Sequence, residues 1–380
     1  MNFRGYTCLE LQKGRARVPG IITHTKILKD SIRLLETRSR KTYLLRSIQA
    51  LFSSEPHIKA AMFGAAGPDI FDFIPVRNKK KYYGHEISFH LHNGGSHALL
   101  SAMLDIVNGA TDKNTDWAAR QRAYLYGMVS HYIADTLINP FLFYFSGFST
   151  SLDKKNMLYF REQNLLHAYN MDSYLLYYSN EGNGFNFSLN EMLPAEKKYG
   201  LPGLDNAVKT LILDSMERSC PELYDKIPLS KSRSTGNGLS MLDLVPLFMR
   251  AAFRLKWNRN STLSSLIKQL SRRNMLRSDF LVRYPSKKKI NRDLMNLHRG
   301  GWQYPGGRAG YRYDSIDELM GQACKQIVDL WERIEQGLYT DPDISIKDLF
   351  LLNSYTGEPD IRFEQMKQSS PVKLNPYSKF

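Results

Sequence analysis

Residues 117–140 read WAARQRAYLYGMVSHYIADTLINP, and their spacing decides the fold. Apolar residues recur at three- and four-residue intervals, which predicts a long helix from about Trp117 to Asn139, stopped by Pro140. Gly127, His131, Asp135 and Asn139 are spaced by four and lie on one slowly drifting stripe of it. A histidine and a carboxylate four residues apart face the same way, so His131 and Asp135 can present a nitrogen and an oxygen to one cation. Taken alone, such a pair also serves as a buried ion pair or hydrogen bond.

The sequence on either side supplies company for that pair. From Thr23 to Glu36, His24, Ile27, Leu28, Ser31, Leu34 and Leu35 share one helical face, so His24 points inward. A short helix is expected over Glu55–Ala66, ended by the Gly67-Pro68 breaker with Asp69 directly on the turn. Residues 77–86 read as a basic loop containing glycine, and helical periodicity returns over Ser96–Val107. Between and beside them lie His85, His90, His92 and His97. Later helices are expected over Lys155–Tyr178, two or three times within 203–275, and over Ser315–Gln336 with Asp314 or Ser315 as cap.

Nothing alternates convincingly with period two, so the expected class is all-α. The expected organisation is an irregular lead-in (1–20), a helical core carrying the site (21–180), a basic helical insertion or lobe (181–300), a C-terminal core helix (301–340) and an irregular tail (341–380). Leu229–Asn237 and the triple lysine at 287–289 read as exposed loops of the insertion.

The 380 residues are 42% hydrophobic and 23% charged, an ordinary globular composition. Cys8, Cys220 and Cys324 lie far apart, which argues against a disulfide framework or a thiolate zinc site. The N-terminus does not read as a secretory signal, and the apolar run near Leu137–Phe145 is too short to span a bilayer, so a cytoplasmic or peripheral membrane location is expected. The formal charge of +15 is concentrated: residues 250–299 carry +12 and residues 1–50 carry +8. Such patches concentrate anions of any kind, or simply solubilise a surface.

At this point the residues resemble the bacterial zinc-dependent phospholipases C. The likeness rests on Ile22-Thr23-His24 opening a helix, on Phe63 through Ile70 (FGAAGPDI), and on Gly127 through Asp135 (GMVSHYIAD) followed by Asn139-Pro140. Trp302-Gln303-Tyr304-Pro305, leading into the last helix, adds a looser match. The resemblance implies an all-helical bundle, similar also to single-strand-specific zinc nucleases, with zinc in a cleft and hydrolysis of a phospholipid phosphodiester. Carried over by position, His24 resembles a ligand of one metal. Asp69, His92, His131 and Asp135 resemble the ligands of another, with Asp135 bridging the two and His85 and His90 as rivals of His92. Asp69 would also accept the proton from metal-activated water attacking phosphorus in line.

The departures fall on ligands. The family has His-Pro where this chain has Asn139-Pro140, and a His, Glu and Asp spaced by four where it has Asn164, Ala168 and Asp172. An amide oxygen is a poor zinc ligand and alanine is none, so Asn139 and Asn164 are weak candidates, with His167 a partial substitute. One or two zinc ions are therefore expected. Two readings follow. One is a hydrolase of a phospholipid or other phosphodiester; the other is a catalytically impaired metal- or lipid-binding protein whose basic lobe meets anionic membrane or a partner. No recognisable motif supports nucleic acid as a ligand.

Overall fold

Thr115 starts the helix that organises the molecule: its hydroxyl accepts from the Ala118 amide at 3.2 Å, and Asp116 favours the same end of the helix dipole. A computed structural model describes residues 20–38, 42–74, 83–151, 153–179, 184–198, 201–226, 240–257, 283–340 and 347–374. Among them the fold is all-α, with almost no strand.

In chain order the helices leading to the centre are α1 (Ile21–Thr37), α2 (Tyr43–Leu51), α3 (Glu55–Ala65) and α4 (Tyr83–His90), then α5 (Ser96–Asn108), α6 (Asp116–Ser146) and α7 (Lys154–Tyr178). After them come α8 (Leu189–Met192), α9 (Asn206–Ser219), α10 (Pro221–Lys226), α11 (Val245–Trp257) and α12 (Ile316–Tyr339). A two-stranded antiparallel hairpin pairs Ala195–Lys198 with Leu201–Leu204. Its Pro202-Gly203 interrupts any alternation, which is why period two was invisible in sequence.

Helix α6 is buried along most of its length, with α1, α3, α5, α7, α9 and α12 packed against it. Helix α3 approaches closest, because glycines face each other: a Cβ on Gly127 would lie 1.9 Å from the Ala61 carbonyl oxygen, and one on Gly64 2.2 Å from that of Tyr124. Helix α12 starts with a capping box between Ser315 and Glu318 and docks through Trp331, whose indole N–H donates to the Tyr126 carbonyl at 3.0 Å.

Two expectations need correction. Helix α6 does not stop at Pro140 but runs on to Ser146. Pro140 has no N–H for the Thr136 carbonyl, yet Gly357 lies against that oxygen, and burial of Phe141, Leu142 and Phe143 favours continuing the helix. The expected loop over 77–86 gives way at Tyr83 to α4; residues 75–82 lie outside the described residues. The stretch 347–374 is irregular, and its Phe350, Tyr355 and Phe363 are buried in the main core. Residues 1–19, Leu229–Asn237 and residues 258–282 of the 250–299 basic stretch also lie outside the described residues. Lys287–Lys289 form one exposed 3-10 turn.

Candidate metal centre

The start of α1 sets the position of His24. The backbone N–H and hydroxyl of Thr23 donate to one Asp172 oxygen at 2.9 and 2.7 Å, and the Tyr284 hydroxyl donates to the other at 3.1 Å. Burial pushes the Asp172 carboxyl up to about 6. In sequence Asp172 stood in line with a metal ligand of the family; here it anchors the helix that carries His24.

The 3-10 turn Gly67–Phe73 places Asp69. Gly67 has φ +56, and a Cβ there would lie 2.3 Å from the ring of His131, so the turn can ride over the imidazole only with glycine. His92 sits in the distorted turn Leu91–Gly95 between α4 and α5, where Asn93 and Gly94 leave helical angles. Helix α6 contributes His131 and Asp135 on one face.

These five residues converge. The His131 and His92 Nε2 atoms stand 3.0 and 3.1 Å from one Asp135 oxygen, and the His24 Nε2 stands 3.4 Å from the other. The His92 and His131 Nε2 atoms are 3.1 Å apart, and Asp69 is 3.8 Å from His92. His24 stacks on His131, with centroids 4.2 Å apart. His24, His92, His131 and Asp135 are at most 2% exposed; Asp69 retains 14% of its side-chain surface.

The hydrogen bonds fix which nitrogens face the centre. His131 Nδ1–H donates to the Ala65 carbonyl at 3.1 Å and His92 Nδ1–H to the Ser88 carbonyl at 2.7 Å, so each turns its Nε2 inward. Both His24 nitrogens and both Asp135 oxygens are buried without a hydrogen bond of acceptable angle. Burial, and then His131, push His24 down to about 3. Burial pushes Asp69 up to about 7. His92 is raised to about 9, because Asp135 and Asp69 outweigh the opposing effect of burial. Burial also opposes ionisation of Asp135, but His131 and His92 hold its carboxyl well below the usual carboxylate range.

His24, His131 and Asp135 fit a divalent cation, each offering a ligand atom within 4.8 Å of the others. Ligands about 2.0–2.1 Å from a tetrahedral zinc lie about 3.3 Å from one another, close to the separations here. Imidazole and carboxylate donors suit that ion, and a cation would satisfy the orphaned atoms of His24 and Asp135.

The other candidates lie elsewhere. His85 pairs with Asp72 at 3.1 Å, and His90 is exposed beside Gly95. Asn139 donates its amide to the Ser354 carbonyl at 2.8 Å. Asn164 accepts from the Ser146 hydroxyl at the far end of α6, and His167 Nδ1–H donates to Gln163 one turn back at 2.9 Å. Sequence reasoning missed Tyr355, whose ring stacks on His92 with centroids 5.4 Å apart, because nothing in an irregular stretch marks it.

The family model described as zinc dependent phospholipase C matches residues 23–138. In the same comparison no curated protein and no solved structure gives a significant match. The matched segment opens one residue before His24 and closes one residue before Asn139, so it encloses all five converging donors and none of the three weak candidates. Residues 23–138, which carry His24, Asp69, His92, His131 and Asp135, are therefore similar to the zinc dependent phospholipase C family.

Proposed function

We infer that the chain is a zinc-dependent hydrolase of the phospholipase C kind, acting on the phosphodiester of a phospholipid. One observation carries this reading: His24, His92, His131 and Asp135 from three separate segments form a buried cluster inside the matched segment, with Asp69 3.8 Å from His92. His24, Asp69, His92, His131 and Asp135 would hold zinc, one ion and at most two. Bound zinc supplies Lewis-acid polarisation of the phosphoryl group and lowers the pKa of water.

The chain's own residues do the rest. Asp69 is the donor that reaches solvent, and its carboxyl sits near neutrality, where a group can both take and return a proton. Asp135 stays ionised and balances cationic charge. Ala65 and Ser88, through their carbonyls, hold two imidazoles in the orientation that binding needs. Among the described residues no helix is long and apolar enough to cross a membrane, so substrate would be met at a surface.

A second reading, a metal centre that does not hydrolyse, draws on the near-complete burial of four of the donors. Zinc content by elemental analysis, with headgroup release from phospholipid micelles, separates the two. Zinc retained together with release that falls to background in His131→Ala and Asp69→Asn supports the hydrolase. Zinc retained with identical background in all three proteins leaves the second reading. No zinc uptake on titration removes both.

A further inference from the structure

The centre is covered on one side by the chain's own residues 350–363. Tyr355, 1% exposed, stacks on His92 and also packs on Phe143 at 5.6 Å. One turn beyond Asp135, the Asn139 amide holds the Ser354 carbonyl. The Tyr132 hydroxyl, next to His131, donates to the Leu352 carbonyl at 3.0 Å and accepts from the Leu352 amide at 2.8 Å. The Phe363 amide donates to the Asn93 side chain at 2.8 Å, beside His92.

Most backbone bonding of this segment is internal. The Asn353 carboxamide accepts from the Tyr355 amide at 2.9 Å, the Gly357 amide donates to the Asn353 carbonyl at 2.8 Å, and the Thr356 hydroxyl donates to the Ile361 carbonyl at 2.7 Å. A single bridge joins Leu352 to Pro359. Lifting the segment breaks its side-chain ties and uncovers Phe350, Tyr355 and Phe363, so opening is a rare local excursion of a loop that keeps its own turns. Its ties reach α6 and the Leu91–Gly95 turn, the two elements that carry His92, His131 and Asp135, and also Phe89 of α4 and the Arg308 amide.

We propose that residues 350–363 are a lid on the metal centre, closed in this structure, which must lift before a phosphodiester or a chelator reaches the donors from the side of His92. The proposal rests on the metal reading above and names how that same site is regulated.

Two variants loosen the lid without touching a donor. Gly357 has φ +66 and a Cβ there would lie 2.3 Å from the Thr136 carbonyl oxygen, so Gly357→Val wedges the loop off α6. Tyr132→Phe removes both bonds to Leu352 and keeps the ring against Phe350, so it carries the test if Gly357→Val does not fold. Each is loaded with zinc, and extraction by pyridine-2,6-dicarboxylate is timed. The expected result is unchanged zinc content and extraction about tenfold faster than wild type. Zinc leaving at the wild-type rate overturns the lid and spares the metal centre; no zinc in any of the proteins overturns both. Amide hydrogen exchange tests opening independently of metal: the amides of Leu352 and Gly357 exchange faster than those in the middle of α6, and equal protection of the two regions overturns the lid.

Discussion

Asp135 stands 3.0–3.4 Å from three imidazole nitrogens, yet neither of its oxygens has a hydrogen bond of acceptable angle. At this scale the protein is defined by how it stores protons when no metal is bound. His92, raised to about 9 by Asp135 and Asp69 against burial, is an imidazolium at pH 8; His24, pushed down to about 3 by burial, is neutral there. A metal ligand must be a neutral imidazole, so zinc uptake at pH 8 releases about one proton, drawn from His92, and zinc affinity climbs as pH rises towards 9. Titration calorimetry in two buffers of different ionisation heat measures the proton count; zero release would contradict the assignment. The pair His131 and Asp135 was legible in the sequence because a spacing of four is a helical neighbourhood. The resemblance put His92 ahead of His85 and His90, but spacing alone left the choice open, because the backbone turn at Asn93 and Gly94 aims His92.

At the scale of elements, the centre depends on α3 and α6 touching backbone to backbone. An alanine at Gly127 puts a Cβ 1.9 Å from the Ala61 carbonyl, and relieving it moves α3, which carries the Ala65 carbonyl that orients His131. Gly127→Ala is expected to cost about 1–3 kcal/mol or more and to weaken zinc binding as well. Thermal melts with and without zinc check both effects, and an unchanged melting temperature would refute the close approach.

The start of α1 gives a prediction with a sign. Asp172 has its carboxyl raised to about 6 by burial, so the folded chain binds this proton more tightly than the unfolded chain does. Its contribution to stability is therefore lost as pH rises from about 4 to about 6. Asp172→Asn keeps an acceptor for Thr23 and removes the buried charge, so the variant gains on wild type over that window by up to about 3 kcal/mol. Denaturation midpoints at pH 4.5 and pH 7 test this; curves that stay parallel would exclude it.

For the whole molecule, zinc would bind the folded chain and not the unfolded one, because its donors come from segments as far apart as His24 and Asp135. Occupancy at a thousandfold excess over Kd is worth about 4 kcal/mol, so chelation is expected to lower the melting temperature measurably, and an unchanged value would count against a site in the core. The sequence by itself determined the helical class and the main helices, since periodicity, caps and breakers act over a few residues. It also offered the residue types that could hold a metal, and residues 23–138 match the model of the zinc dependent phospholipase C family. Three things were decided by tertiary structure alone. Helix α6 passes Pro140 because burial of Phe141–Phe143 offsets one missing bond. Asp172 supports α1 instead of joining the donors. The 350–363 segment, irregular in pattern, covers the centre through Tyr355 and Ser354. Each of these is a contact between residues far apart in the chain, and local propensity carries no record of which distant backbone a side chain will meet.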